Sequence, residues 1–328
     1  MQLVLHTPGL TLRVRGGAFE VLAGEEQRII GPKQLSSIAV TAGCLISSAA
    51  VELAVKEDIP IYFFDEIGDA VGCLRSSYFE SIATLRRKQV YFGDSPEGGT
   101  WVVEQFRLKT EGQISVLAFL ENRRPALAAE LKAASGLILS ELADLKQFDG
   151  QLTAQFGPQL MGWEGQQARI YWQAVGKAVP EPFTFQTRSR RPAQDPYNAV
   201  TNYLYGMLYT VVEQALFAGG LDPHLGMLHA DEYDQPALAF DLIEAFRPWV
   251  DLLLLQQFCK PGVVQLTFFD ARSGGIFLNS QGKKLFIPLF NEWLDANKRW
   301  QNRQLSHRLH IFKAAAEFAK TINVWKKP

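Results

Sequence analysis

Four residues of this 328-residue chain have types and spacing suited to holding a metal ion. His229 ends a Gly226-Met-Leu turn. Asp241 and Glu244 follow, three apart, in Phe240-Asp-Leu-Ile-Glu-Ala-Phe-Arg247-Pro248. Glu164 lies upstream, in Gly162-Trp-Glu-Gly165-Gln-Gln-Ala168-Arg-Ile-Tyr171-Trp172. Together they can supply His, Glu and Asp/Glu to one divalent cation. An imidazole with two or three carboxylates is a mixed nitrogen and oxygen donor set. It suits Mn²⁺ or Mg²⁺ better than an ion that prefers thiolates. A cation held in this way polarises a phosphodiester and stabilises charge on the attacking and leaving oxygens. The chemistry is phosphoryl transfer or hydrolysis, and composition does not separate the two.

Each residue also has a plain structural reading. Ala168, Tyr171, Trp172 and Val175 form an amphipathic helix face. Glu164 then falls near the helix start, where a carboxylate complements the dipole or caps. Gly165 disfavours a helix interior and suits a place where another backbone or a ligand comes close. In the second stretch Ala239, Leu242, Ile243, Phe246, Val250, Leu253 and Leu254 share a stripe, with Asp241 and Glu244 on the opposite side. That is the pattern of a solvated polar face, although two adjacent carboxylates repel and a cation relieves the repulsion. His229 precedes Asp231, Glu232 and Asp234. It has rivals in His224 and in the His307/His310 pair, which shares a helix face but has no carboxylate nearby in sequence.

Basic residues cluster at Arg86-Arg-Lys88, Arg188/Arg190/Arg191, Lys283-Lys284, Lys298-Arg299 and Lys326-Lys327. The Arg188–Arg191 group lies between the two acidic stretches and is interleaved with Phe183, Phe185 and Tyr197. It is the expected place for phosphate contacts.

The positioning elements follow from pattern. Residues 2 to about 75 have β texture: Gln2–His6, Thr11–Arg15, Ala18–Leu22, Glu26–Ile30 and Ser37–Thr41 are short strands broken by Pro8-Gly9 and Gly16-Gly17. A helix is expected from Ser47 or Ser48 to Lys56, then an apolar strand over Pro60–Phe64 and another over Ala70–Leu74. The Gly93-Asp-Ser-Pro-Glu-Gly-Gly99 cluster reads as a linker. Beyond it, helices are expected over Thr100–Glu121 and Pro125–Leu145, with a break at Phe156-Gly-Pro-Gln-Leu160. A further helix is expected from Pro196, which suits a first turn, to about Phe217. A long one over Pro236–Phe258 should be kinked or divided by Pro248. A small hairpin at Leu266–Phe277 and a helical segment from Pro288 to Val324 complete the chain. The expected organisation is α+β. A small β-rich domain (1–85) leads through a linker (86–100) to a larger α-helical metal-binding domain (101–328).

The bulk numbers narrow the class. The length suits about two domains, and 47% hydrophobic residues with 12% aromatics suffice for ordinary cores. The net charge of -1 gives no global sign of nucleic acid, so a binder of this balance must concentrate its cations locally. The 3 cysteines, Cys44, Cys73 and Cys259, are widely spaced and fit a reducing, cytoplasmic setting. No CxxC pair suggests structural zinc. No apolar run is long enough for a signal peptide or a membrane span, so no membrane partner is expected.

Taken jointly, these stretches resemble a known family. The Gly-Trp-Glu164-Gly-x-x-Ala-x-x-Tyr-Trp stretch is similar to the metal-binding motif of the CRISPR-associated integrase, the larger protein ("Cas one") of the spacer-acquisition pair. Gly226-x-Leu-His229 and Asp241-Leu-x-Glu244-x-Phe-Arg247-Pro248 resemble its next motifs in order. Arg191-Pro-x-x-Asp195-x-x-Asn198-Ala199 resembles an intermediate one. The N-terminal strands, the Ser47-Ser-Ala-Ala helix and Ile59–Asp65 match its N-terminal domain, so the likeness covers nearly the whole chain. One departure is Gln235-Pro-Ala-Leu238, where the family often has a serine. The resemblance implies a β-sandwich-like domain before a helical catalytic domain. It implies Glu164, His229 and Glu244 as ligands of a Mg²⁺ or Mn²⁺ ion, with Asp241 an accessory carboxylate. It further implies DNA cleavage and attack of a 3′-hydroxyl on a repeat phosphodiester, a homodimer, and a small second adaptation protein ("Cas two"). Arg188, Arg190, Arg191, Asn198 and Arg247 are the expected contacts to double-stranded DNA. A non-catalytic DNA-binding scaffold of the same fold and a hydrolase of a small phosphorylated substrate are the competing readings.

Overall fold

The computed structural model describes residues 1–65, 70–74, 83–190, 192–229, 236–272 and 274–327. Its N-terminal part is a two-layer β structure. β1 (Gln2–Leu5), β2 (Thr11–Arg15), β3 (Ala18–Ala23), β4 (Glu26–Ile30), β5 (Ser37–Val40) and β6 (Leu45–Ile46) precede α1 (Ser48–Lys56), β7 (Ile61–Phe64) and β8 (Ala70–Leu74). One sheet has the order β1-β5-β7-β8 and the other β4-β3-β2-β6. Strands β1, β5 and β7 run parallel, and β8 returns antiparallel on the edge. Gly16 and Gly17 both have positive φ, at 58° and 77°, and Arg15 pairs with Ala18. Two glycines in that conformation make the two-residue turn that matches strand twist. The Ser47 hydroxyl caps α1 by accepting from the Ala50 amide. Leu5, Leu12, Phe19, Ile38 and Ile61 from both sheets, with Ala50 and Ala54 of α1, form one core between the layers.

The remainder is helical: α2 (Ala83–Gly93), α3 (Pro96–Arg123), α4 (Ala128–Asp144), α5 (Thr153–Ala178), α6 (Pro196–Ala218), α7 (Ala237–Ile243) and α8 (Arg247–Phe258). A hairpin, β9 (Phe269–Arg272) and β10 (Gly275–Leu278), leads to α9 (Ser280–Asp295). A second hairpin, β11 (Asn297–Trp300) and β12 (Arg303–Ser306), precedes α10 (His307–Val324). One large apolar core runs through these helices, and Val4 of β1 and Ala39 of β5 join it. The two parts are therefore packed together. Gln2 Nε2 donates to Thr210 Oγ1 of α6 at 2.9 Å, and Gln2 exchanges two backbone contacts with Asn291 of α9 at 3.2 Å. No helix among the described residues is long and apolar enough to cross a membrane.

The α+β reading holds, with strands first and a large helical part after them. Three local expectations fail. Residues 86–100, expected as a linker, are the end of α2 and the start of α3, with only Asp94 and Ser95 between them. Ser95 caps α3 through the Gly98 amide and Pro96 occupies its first turn. Gly98 and Gly99 are buried because a Cβ there would lie 2.3 Å from the Phe92 carbonyl or 2.0 Å from that of Gln151. Close packing, rather than looseness, explains those glycines. The expected break at 156–160 lies inside α5, which tolerates Pro158 while Phe156 and Leu160 anchor it in the core. The helical reading of 288–324 misses β11 and β12, whose turn places Gln301 and Asn302 at positive φ of 46° and 60°. Pro248 does divide its helix: it occupies the first turn of α8, after α7 has ended.

Candidate metal centre and its cleft

The centre is assembled from α3, α5, α7, the α7–α8 junction and the loop before α7. Glu164 stands in the middle of α5, so capping and dipole compensation do not account for it. Beside Gly165, no atom lies within 4 Å of where a Cβ would sit, so no other backbone approaches there. Glu244 follows the last residue of α7 and is 5% exposed, and Asp241 is 3% exposed. Neither belongs to a solvated face.

Lys109 of α3 joins the two halves of the site. Its Nζ lies 2.5 Å from Glu164 Oε1 and 2.5 Å from Glu244 Oε2, and its side chain is 7% exposed. Two carboxylates remote in sequence thus converge on a single cationic point. Arg247 Nη1 pairs with the other Glu244 oxygen at 2.9 Å. Burial pushes the Glu244 carboxyl up, but Arg247 and Lys109 outweigh it and hold Glu244 below the ordinary carboxylate range.

His229 is oriented by Asp241. Its Nδ1 lies 2.6 Å from Asp241 Oδ1. The same carboxylate accepts from the backbone amides of Met227, Leu228 and His229 at 2.6, 3.1 and 3.2 Å. Asp241 is therefore occupied on both oxygens and acts on the histidine, leaving Nε2 as the ring's available donor atom. The hydrogen bond to Asp241 raises the imidazole's pKa against the opposing effect of burial. The nearby Glu244 and Glu164 charges act in the same direction. Gly226 is required here: a Cβ would lie 2.5 Å from the His229 carbonyl and 2.6 Å from Ala237 Cβ.

In this conformation no three His, Cys, Asp or Glu side chains among the described residues are close enough to enclose an ion. The donor types nevertheless fit a hard divalent cation: two carboxylates already converging on one positive charge, and an imidazole held by a carboxylate. Glu164, Glu244 and His229 are the residues that would hold it, with the Lys109 ammonium standing between the two glutamates.

Glu164 and Lys109 line an open cleft that is rimmed by Arg188, Arg190, Arg247 and Tyr205. The Arg188 guanidinium lies over Trp172 and Tyr205 at 5.5 and 5.6 Å, and that of Arg247 over Tyr205 at 5.2 Å. Burial pulls Arg188 down to about 10, which leaves it charged at neutral pH. Arg190 is exposed, and its carbonyl is held by Asn202 Nδ2 at 2.7 Å. Arg191, the fourth expected basic contact, lies outside the described residues, as do Asp231, Glu232 and Asp234. Asn198, expected at the DNA, is fully buried. Its Oδ1 accepts from Arg188 at 3.0 Å and its Nδ2 donates to the Thr187 carbonyl at 3.0 Å and to Asp195. It fixes the arginine loop rather than a ligand. Phe183, Phe185 and Tyr197 are core residues, with Phe185 stacked on Tyr197 at 5.0 Å, and offer no free face to a base.

The rival histidines have structural roles. His307 Nδ1 lies 3.0 Å from the Ala296 carbonyl and His310 Nε2 lies 2.8 Å from that of Lys298. Their rings pack against Trp293, Trp249 and Trp300. His224 is exposed beside Asp222.

A sequence model of the family described as "CRISPR associated protein Cas1" matches residues 3–292. The chain belongs to the Cas1 family. A curated relative from Thermus thermophilus, named CRISPR-associated endonuclease Cas1 1, is 32% identical over 90% of this chain and 87% of its own length. Another of the same name, from Archaeoglobus fulgidus, is 27% identical over 94% of this chain and 92% of its own. In fold, the chain is similar to a casposase bound to an integration product, at a TM-score of 0.85 and 22% identity, covering all of this chain and 92% of that one. It is also similar to the CAS1 protein of Thermotoga maritima, at a TM-score of 0.79 and 22% identity over 99% and 98% of the two chains.

Within this Cas1 chain, sequence reading missed Lys109 and Asp251. Asp251 is fully buried on α8 and accepts from the Tyr205 hydroxyl at 2.6 Å and the Tyr171 hydroxyl at 2.8 Å. Burial raises its carboxyl from 3.8 to about 6, against the lowering effect of those hydroxyls and of Arg188 and Arg247. Both residues carried one signal, a charge on an otherwise apolar helical stripe. Lys109 follows Val102 and Phe106 and precedes Val116, Leu117 and Leu120.

Proposed function

We propose that this Cas1 protein is a divalent-metal-dependent DNA endonuclease and integrase. Its reaction inserts a DNA fragment into a CRISPR array by attack of a 3′-hydroxyl on a phosphodiester. The observation that carries this reading is the convergence of Glu164 and Glu244 on one cationic point, beside an Asp241-held His229, with Glu164 and Lys109 lining a cleft rimmed by arginines. Curated relatives bear the name endonuclease, and a structural neighbour is a casposase with its integration product. A bound Mg²⁺ or Mn²⁺ supplies Lewis acidity toward a phosphodiester oxygen. The protein's part is to place the DNA. Arg188 and Arg190 meet the backbone, and the buried Arg247 Nε, which has no hydrogen-bond partner among the described residues, offers a donor to a phosphate oxygen. Asp241 keeps the His229 ring in one orientation.

Solved relatives include a Cas6-RT-Cas1–Cas2 complex, which supports a small Cas2 partner here. A homodimer is proposed on family grounds. A non-catalytic DNA-binding scaffold is the second reading. The buried Glu244 and the half-buried Glu164 that converge on one point argue against it, since a scaffold has no use for charges that must be neutralised there.

The test is binding and nicking of a labelled duplex. Wild type is expected to bind with a steep loss as salt rises from about 50 to 200 mM. R188A/R190A should bind more weakly, with the log–log salt slope smaller by about 2. E164A should bind as wild type does but fail to nick with Mn²⁺ present. Nicking by E164A at the wild-type rate contradicts the ligand assignment. Binding without nicking by wild type favours the scaffold, and no duplex binding at all favours a small-substrate hydrolase.

A further inference from the structure

Lys109 is an unusual neighbour for two metal-binding glutamates. A lysine at a protein surface keeps its ammonium in water, but this one is 7% exposed and contacts both carboxylates at 2.5 Å. It occupies the space between the oxygens that a divalent ion needs, and an ammonium and a metal ion cannot share that point. The three expected donors do not enclose an ion while it is there.

We propose that Lys109 is the resident counter-cation of the centre, standing in for the divalent ion and displaced when the ion enters. The proposal rests on the metal-centre reading above and adds to it. With neither the metal nor Lys109 between them, the half-buried Glu164 and the buried Glu244 would face each other, and like charges so placed repel. Lys109 neutralises them and keeps both aimed at one point. The lysine stem is flexible enough to swing aside. A receiving acceptor is already present: Gln113 lies one turn further along the same face of α3, is buried, lines the same cleft, and its Oε1 has no hydrogen-bond partner among the described residues. The step exchanges one cation for another and breaks no covalent bond. Two consequences follow. The metal-free protein keeps its glutamates aligned, and the apparent affinity for the ion is lower than the donors alone would give, because the ion must expel the ammonium.

The experiment is calorimetric titration of metal-free protein with Mn²⁺, alongside thermal unfolding in EDTA and in Mn²⁺. The proteins are wild type, K109M, K109Q and R247M. R247M removes a cation that touches Glu244 but does not stand between the two carboxylates, so it measures the effect of nearby charge alone. The expected result is at least tenfold tighter Mn²⁺ binding by K109M and K109Q than by wild type, and a smaller gain for R247M. In EDTA, K109M should melt below wild type, and Mn²⁺ should raise its melting temperature by more. Equal affinity in wild type and K109M overturns the proposal, as does an R247M gain that matches K109M. Failure of both K109M and K109Q to fold with Mn²⁺ present also overturns it, since the ion should take over the ammonium's role. Absence of Mn²⁺ binding in wild type and every variant overturns the metal-centre reading itself.

Discussion

Asp241 engages both carboxylate oxygens on the loop that carries His229, through three backbone amides and the imidazole. An amide in its place presents one acceptor oxygen instead of two and turns an N–H toward the loop. D241N should therefore lower Mn²⁺ affinity by about 10- to 100-fold, the usual cost of losing a partner that orients a metal-binding histidine. Calorimetric titration reads this directly, and an unchanged affinity would remove Asp241 from that role. Asp251 makes a separate prediction. Its folded pKa of about 6 lies above the ordinary 3.8, so between those values the folded state holds a proton that the unfolded chain has released. Its contribution to stability is thus largest below about pH 4 and falls as pH rises to 6. The difference corresponds to roughly 3 kcal/mol. Denaturant unfolding of D251N beside wild type should show the stability gap shifting in favour of the variant by about that amount from pH 4 to pH 6.5. A gap that does not change with pH would contradict the buried, proton-holding state.

At the scale of elements, the loop before α7 is tightly constrained. Gly226→Ala places a methyl 2.5 Å from the His229 carbonyl and 2.6 Å from Ala237 Cβ, and neither neighbour is the free end of a flexible side chain. The loop must move, at a cost of about 1–3 kcal/mol. Mn²⁺ affinity should fall further than the lost stability explains, as measured by thermal unfolding together with metal titration. Wild-type affinity would show that His229 is not positioned by this loop. Much of this scaffold was legible in sequence. Strands β1–β5 and β7–β8 announced themselves by short, partly apolar runs between turn residues, α1 by Ser47 at its cap and α6 by Pro196 in its first turn. Glu164, His229, Asp241 and Glu244 were recognisable as motif residues. Ser95, Pro96, Gly98 and Gly99 misled because residues typical of linkers also start helices and allow close packing, and only the partner backbone decides between the two. Lys109 stayed hidden because its partners are 55 and 135 positions away, a separation no local pattern spans.

The whole molecule has a formal charge of -1, so the proposed DNA affinity must come from a local field. The loop pinned by Asn198 and Asn202 places Arg188 and Arg190 beside the acidic centre, and the β layers are docked against α6 and α9 on the basis of Gln2. On the proposed reading, arginines would gather phosphates where the carboxylates would hold a cation, which is what strand transfer requires of a single face. The most direct test is the Mn²⁺-dependent joining of a labelled short duplex into a supercoiled plasmid bearing a CRISPR repeat. Wild type and E164A are compared, each with and without the Cas2 partner. Joined product from wild type and none from E164A is the expected result. Product from E164A at the wild-type level, or product from wild type undiminished by EDTA, would contradict the metal-dependent integrase.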